Sequence, residues 1–567
     1  MQDASSQQYV EHPLIWPNTV EARLYQTKIA KAASERNTLV ILPTALGKTV
    51  ISALVAADVL YQYRDARVLV MAPTRPLVMQ HQRSFLRLLK LRAQDTTLLT
   101  GTTPPEYRRG VWAGAARIVF ATPQVVRNDL LEQRLQLETY GLLVFDECHR
   151  AVKRYAYTDI AEAYVAQATY PLLLGMTASP GAKLDRALEV CRRLYIERVA
   201  YRSEDDPDVT PYIQSIAMEW MRVDLPSEYL EIIARIQAML SPRLSWLHRM
   251  GVLRRKPEYA TKRSLIEVGD ELRYLLEESI EEERPKIFNA IITQSLALTL
   301  CHMRELLETQ GLWTLRAFLD RVALERGEKR SYAILTTDPA YQELCHYIDA
   351  HPVEHPKLEL LRALVGGQLR GKPASRMLVF TQYRDTASHL VEALNHVDGV
   401  RADRFVGQAS RLLDRGLSQE EQAERIRLLE AGDLNVLVAT SIAEEGLDIP
   451  AVDYVVFYEP IPSEIRYIQR RGRTGRKAPG KVAILAANDS LDMIYLYTSR
   501  RRTAQMRQIA ETVNSQLHTI LRSHPKPPPN PITPMELQAI EAEARPLTVE
   551  PAALKPEVET VKEVRRT

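Results

Sequence analysis

Short apolar runs that end abruptly in small polar residues recur along this chain, and amphipathic helical stretches separate them. Residues 38–42 (TLVIL), 67–72 (RVLVMA), 96–100, 117–121 (RIVFA), 142–145 (LLVF) and 172–176 form a first series. After His355 the pattern returns as 377–380 (MLVF), 435–439 (NVLVA) and 453–458 (DYVVFY). Continuous apolar runs suit strands buried on both faces, and strands alternating with helices build a parallel sheet covered on both sides. The expected class is α/β, with two such units in tandem. Open parallel sheets bind ligands beyond the C-terminal ends of their strands. The residues that follow each run therefore carry the functional information, and they are hydroxyl-bearing or polar, suited to phosphate contacts.

The first run opens residues 37–50, NTLVILPTALGKTV. Strand, loop and helix start follow in the order of a phosphate-binding loop. Leu42, Pro43, Thr44, Ala45, Leu46, Gly47, Lys48 and Thr49 are its candidate residues. Backbone N–H groups and the helix N-terminus would cradle the β- and γ-phosphates of ATP, with Lys48 as a point charge and Thr49 offering a hydroxyl to Mg²⁺. Pro43 and Ala45 stand where the full pattern has glycines, and GKT tripeptides also occur in ordinary turns. The run 142–145 supplies the second half, because it ends in Asp146-Glu147. Asp146 would hold Mg²⁺ and Glu147 would orient and deprotonate the attacking water. An isolated Asp-Glu pair often only caps a helix; downstream of such a loop the paired reading prevails. Upstream, Tyr25 could stack on a base and Gln26 could read adenine, but these two residues by themselves favour a surface helix.

At 567 residues the chain exceeds one core, and two to four domains are expected. The net charge is only +3, from 74 basic and 71 acidic residues. Any nucleic-acid surface must then be a local stripe. One candidate is the segment 463–476, SEIRYIQRRGRTGR, with Arg470, Arg471, Arg473 and Arg476. Arg473 and Arg476 could reach a γ-phosphate across an interdomain cleft as arginine fingers, a role typically worth ~10³–10⁵ in rate. The alternative is a basic loop that contacts nucleic acid. The cysteines Cys148, Cys191, Cys301 and Cys345 form no CxxC pair, which fits a reducing cytoplasm. No signal-peptide pattern and no bilayer-length apolar run is found, so a cytoplasmic protein without membrane contact is expected.

TALGKT, APTRPLVMQ, ATPQ, DECH, TAS, FTQYRDTA, VGQASR, ATSIAEEGLDIP and QRRGRTGR occur in that order. They resemble the motif set of superfamily 2 helicases. VFDECHRAVKRYAY, LLETQG at 306–311 and FYEPIPSEIRYIQRRGRTGR are most similar to the archaeal Hef and Fanconi anaemia M-type DNA helicase/translocase branch. The resemblance runs from about Tyr25 to about Ile484. It implies two tandem RecA-like, P-loop NTPase domains that close on ATP and Mg²⁺ and step along one strand of forked or branched DNA. A cytoplasmic, nucleoid-associated repair enzyme is the corresponding expectation. The resemblance also assigns roles: Gln26 to adenine; Gly446, Asp448, Gln469, Arg473 and Arg476 to nucleotide; Thr177 and Ser179 to coupling hydrolysis with motion. Arg75, Thr122, Gln124, Thr381, Gln382 and Thr440 would line the strand path. Cys148 stands where Ala is usual in the branch, and a small thiol should fit. No nuclease motif follows, so the chain reads as the motor by itself. An RNA-duplex-dependent translocase shares the layout and is the alternative. A non-catalytic DNA-binding scaffold is a third reading, opposed by the intact Lys48, Thr49, Asp146, Glu147 and Arg476.

The expected division is an N-terminal segment 1–20, a first α/β domain 21–224, an all-α insert 225–350, a second α/β domain 351–523 and a Pro-rich, disordered tail 524–567 that could dock a protein partner. The insert shows apolar residues at helical three- and four-residue spacing. It also carries a basic run, Arg254, Arg255 and Lys256, followed by Lys262 and Arg263. The resemblance implies a thumb-like grip on DNA; a helical spacer with solvated charges is the alternative.

Overall fold

The computed structural model of the chain describes residues 8–544, apart from 45, 180, 182, 214–215, 409–413, 444–448, 464–465, 467–469, 471–479, 521 and 523. Two parallel sheets organise it. The first contains β1 (Thr38–Ile41), β2 (Arg67–Met71), β3 (Thr96–Leu99), β4 (Ile118–Ala121), β5 (Tyr140–Phe145), β6 (Leu173–Thr177) and β7 (Arg198–Tyr201), in the order β3-β4-β2-β5-β6-β1-β7. Every residue of β1, β4 and β6 is buried, as unbroken apolar runs require. The order sets the C-terminal ends of β5, β6 and β1 side by side, with Ile41 opposite Thr177 and Phe145 opposite Gly175. The ends of β2 and β4 continue the same rim.

The second sheet contains β8 (Ile216–Val223), β9 (Met377–Phe380), β10 (Ala402–Phe405), β11 (Val436–Ala439), β12 (Tyr454–Phe457) and β13 (Gly480–Ala487), in the order β10-β11-β9-β12-β13-β8. Here the expected boundary at 224 is corrected. β8 precedes the insert in the chain, yet it pairs along eight residues with β13 of the second domain. As an edge strand it is half exposed and carries Glu219 and Arg222, so it lacks the apolar run that marks the other strands.

Between the sheets the insert is a helical bundle, led by the helices Ser227–Arg249, Lys262–Glu278 and Arg284–Thr309, with its own core of Leu, Ile, Val and Met side chains. After β13 the helix Leu491–Ser515 crosses back to the first domain. Its Met506, Ala510 and Val513 join a core shared with both sheets, and its Asn514 Oδ1 accepts the outward N–H of Val199 on edge strand β7 at 2.8 Å. Arg522 then pairs with buried Glu197 at 2.6 Å.

The expectation of a disordered tail from 524 is corrected as far as residue 544. Asn530 N–H donates to Gln62, Ile532 N–H to Tyr61, and Asn530 accepts from Arg64 N–H. Ile532, Ile540 and Ala544 are buried in the first domain's core, and the helix Pro534–Glu543 starts with a Thr533–Glu536 capping box. Leu537 packs against the same core, and Lys90 pairs with Glu541 at 2.6 Å. The rest of the tail, and any partner docking there, lies outside the described residues. At the other end Leu14, Ile15 and Val20 pack into the first core as well. No described helix is long and apolar enough to cross a membrane.

Candidate functional site

The loop after β1 leads into helix α2 (Lys48–Gln62), whose N-cap is Gly47 with φ 76°. Left-handed backbone favours glycine there. Space demands it too, since a Cβ at 47 would lie 2.3 Å from Gln26 Nε2. Helix α1 (Leu24–Ala33) supports the loop from below. Tyr25 OH and Gln26 Nε2 both donate to the Leu46 carbonyl, at 2.9 and 3.1 Å, and both side chains are buried. Neither expectation for Tyr25 therefore holds: the ring is fully buried, so it is neither a base-stacking platform nor a surface residue. Burial also raises its phenol above the ordinary value. Lys48 Nζ donates to the Leu42 carbonyl at 3.1 Å, folded back over the loop it closes. Thr49 is beside it in the first turn of α2. Ala45 is outside the described residues.

Across the rim stands the Asp146–Glu147 pair at the end of β5. Asp146 Oδ1 accepts the N–H of Glu147 at 3.0 Å, and Oδ2 is 2.8 Å from His81 Nε2. Burial by itself would raise the Asp146 carboxyl. His81, Lys48 and the Glu147 N–H offset that, and the carboxyl is held below its ordinary value. Tyr157 OH, fully buried, fixes the Asp146 carbonyl at 2.7 Å. Glu147 takes a left-handed conformation, φ 47° and ψ 45°. Its Oε2 is buried and makes no hydrogen bond among the described residues, although His149 Nδ1 is 3.3 Å away. His149 Nδ1 instead meets Thr177 Oγ1 at 3.0 Å. The Thr177 proton is committed to the Ser179 carbonyl at 2.8 Å, so the ring nitrogen donates. Ser179 N–H returns a bond to Thr177 Oγ1 within the turn after β6, so it is the His149–Thr177 contact that ties this turn to the segment after β5. Cys148 is buried against Gly175, where a Cβ would come 3.2 Å from its sulfur; the absent side chain makes room for the thiol. Burial pushes that thiol well above its ordinary pKa.

Along the same rim Arg75 opens helix α3 (Arg75–Leu88) and is exposed, Thr122 immediately precedes the helix Pro123–Leu131, and Gln124 in its first turn is exposed. The ends of β2 and β4 thus bring these three together. In the second domain Gln382 is exposed, but Thr381 and Thr440 are buried. Placing those two on an open strand path is corrected: Thr440 is buried at the end of β11, and Thr381 Oγ1 donates to Oε1 of Gln310, which follows the insert helix Arg284–Thr309. Gly446, Asp448, Gln469, Arg473 and Arg476 lie outside the described residues. Arg470 is described and fully buried, its guanidinium 4.8 Å from the Phe380 ring centroid.

Residues 23–187 match the family described as "DEAD/DEAH box helicase", 356–478 the "Helicase conserved C-terminal domain", and 228–349 "Putative ATP-dependent RNA helicase, helical bundle". The solved helicase domain of Pyrococcus furiosus Hef is 41% identical, with a TM-score of 0.64, over 86% of this chain and all of that one. The chain belongs to the Hef/Fanconi anaemia M helicase family. Among curated relatives, a Methanocaldococcus jannaschii protein named "Putative ATP-dependent RNA helicase" is 38% identical over 90% of the chain. The DEAD-box ATP-dependent DNA helicase Fancm of Drosophila melanogaster is 32% identical over 84%. The chain spans 64% and 34% of the length of these two relatives.

Against this helicase fold the insert's basic residues divide. Arg254, Arg255 and Lys256 are exposed, with Arg254 3.0 Å from Glu271. Arg255 and Arg263 line a cleft of about 340 Å³ together with Lys183 of the first domain. Lys262 turns inward to Glu305 at 2.6 Å. Sequence reasoning missed His81, His149 and Tyr157. His81 had a legible signal: it occupies the row Val78, His81, Phe85, Leu88 on the buried face of α3, a lone polar residue in an apolar stripe.

Proposed function

We propose that this chain is an ATP-driven DNA helicase/translocase that acts on forked or branched DNA, in repair or replication-fork processing, as a cytoplasmic, nucleoid-associated motor. The observation that carries the reading is the meeting of Lys48 with a buried Asp146–Glu147 pair at one rim of a parallel sheet. Lys48 leaves the Leu42 carbonyl for the β/γ-phosphate oxygens. Glu147 Oε2, buried and without a hydrogen bond among the described residues, takes the proton of the attacking water.

The donor set fits Mg²⁺. The donors are a hydroxyl, Thr49 in the first turn of α2, and a carboxylate held ionised, Asp146, and the described residues contain no group of three ligating side chains that would cage an ion without substrate. Such a partial set is what Mg²⁺ takes when phosphates and waters complete its shell. Mg²⁺ bound there supplies neutralisation of the phosphate charge. On sequence grounds Gln26, Gly446, Asp448, Gln469, Arg473 and Arg476 complete the nucleotide contacts, and Thr177 with Ser179 couples hydrolysis to motion. Arg75, Thr122, Gln124 and Gln382 contact the strand backbone.

The exposed basic edge of the insert supports a second duplex arm as ligand, and the Drosophila relative is named a DNA helicase. The name of the Methanocaldococcus relative favours RNA as a second reading. Both are tested by ATP hydrolysis measured in parallel with single-stranded DNA, duplex DNA, forked DNA and duplex RNA. Forked DNA is expected to stimulate most. Equal or greater stimulation by duplex RNA would overturn the DNA assignment.

A further inference from the structure

His81 is 3% exposed in a stripe that is otherwise apolar. Burying a polar ring there costs free energy unless it is bonded, and among the described residues its one hydrogen bond is to the carboxylate of Asp146, at 2.8 Å. Its other nitrogen, Nδ1, is buried with no partner among the described residues. A proton on Nδ1 would meet no acceptor, so the ring's N–H belongs on Nε2, donating to Oδ2. Asp146 is therefore gripped three ways. The Glu147 N–H holds Oδ1, His81 holds Oδ2, and Tyr157 OH holds the main-chain carbonyl. With both carboxylate oxygens engaged, rotation about the Cβ–Cγ bond would break two hydrogen bonds at once. The remaining lone pairs thus point in one fixed direction.

We infer that His81 is a positioning residue that aims the Asp146 carboxylate at the Mg²⁺ of the bound nucleotide. The inference rests on the reading of Asp146 given above. Donors that orient a metal-side carboxylate are commonly worth 10–100-fold in metal affinity or activity. The alternative is a core histidine that only fills space. The two differ in what an apolar replacement does. For a space-filler, Leu in this stripe would be neutral, since it removes a polar group from an apolar face. For a positioning residue, Leu leaves the fold intact and frees the carboxylate to turn.

The test uses the full chain and a fluorescent ATP analogue, titrated with Mg²⁺ and also bound in EDTA. For His81→Leu the affinity in EDTA should match wild type, while the half-saturating Mg²⁺ rises ~10-fold or more; His81→Gln, whose amide reaches the Nε2 position, should stay within about threefold of wild type. In steady state the loss should fall on kcat, with KM for ATP little changed at saturating Mg²⁺. If His81→Leu does not fold, His81→Asn against His81→Gln makes the same comparison, because the Asn amide stops short of Oδ2. Asp146→Asn separates the two levels. If it leaves the Mg²⁺ titration unchanged, the reading of Asp146 fails. If it shifts the titration while His81→Leu (or, where that variant does not fold, His81→Asn) tracks wild type, the role of His81 is overturned and Asp146 stands.

Discussion

Gln310 Oε1 accepts a hydrogen bond from Thr381 Oγ1 at 3.0 Å, joining the end of the insert's long helix to the end of β9 in the second domain. The same oxygen accepts from Thr386 at 2.9 Å, and Thr386 also meets Thr314 of the insert at 3.0 Å. Thr381 is therefore part of a joint. Thr381→Val should leave nucleic-acid affinity and its salt dependence unchanged while costing about 1 kcal/mol of stability, the worth of one neutral hydrogen bond. A fluorescence-anisotropy titration with single-stranded DNA checks it; a loss of affinity with a smaller salt slope would return Thr381 to the strand path.

The joint continues in a fully buried ion pair. Lys357 Nζ is 2.8 Å from Asp492 Oδ2 and 2.6 Å from the Thr309 carbonyl, and neither side chain is exposed. Lys357→Met should destabilise the chain by about 3–5 kcal/mol, because it strands a buried carboxylate, whereas the double change Lys357→Met with Asp492→Leu should recover much of that loss. Urea unfolding of the three proteins measures it. Equal losses in the single and double variants would mean that the pair itself, rather than the stranded charge, carries the stability.

Burial pushes the Glu459 carboxyl up to about 7, with Arg470 and Lys357 pulling the other way, and pushes Asp492 up to about 6. A carboxyl raised on folding is most compatible with the folded state when protonated. The contribution of Glu459 to stability is then most favourable below its ordinary value near 4.5 and declines as pH rises toward about 7, where its penalty is nearly complete. Glu459→Gln removes that penalty. Its gain over wild type should be near zero at pH 4.5 and on the order of 1–3 kcal/mol at pH 8. Melting temperatures across this range decide; a variant that loses ground to wild type as pH rises would reverse the sign.

The sheet strands and the rim were readable because a strand buried on both faces must be continuously apolar, and the polar residues after it then face the ligand edge. β8 was not readable because one of its faces is exposed, and its partner β13 comes more than 250 residues later. The docked stretch from Asn530 to Ala544 was hidden by its prolines and charges, since few of its residues are large and apolar, and its backbone hydrogen bonds and the Lys90–Glu541 pair depend on partners far away in the chain. Lys48, Thr49, Asp146 and Glu147 followed from their places in a strand–loop–helix pattern. His81 and Tyr157 did not, because their contacts with Asp146 depend on which strand ends and helix faces meet in space.

Arg254, Arg255, Lys256 and Arg263 of the insert are exposed, and the pairs Arg254–Glu271 and Arg263–Glu267 lie at the solvent surface where phosphates can compete for them, whereas Lys262 is held by the buried Glu305. Replacing the four by Ala should weaken binding to forked DNA and reduce the slope of log K on log salt by about 0.9 for each phosphate no longer neutralised. Single-strand-stimulated hydrolysis should change little. The check is fork against single-strand affinity over a salt series. Parallel loss of both would make the insert part of the motor's own strand grip.

The central claim, a DNA-stimulated ATPase whose water is activated by Glu147, is tested most directly by ATP turnover of wild type and Glu147→Gln with and without forked DNA. Wild type should hydrolyse slowly by itself and much faster with DNA. Glu147→Gln should bind ATP and DNA as wild type does, while its stimulated turnover falls by ~10²–10⁴. Near-normal turnover by Glu147→Gln, or wild-type turnover indifferent to DNA, would contradict it.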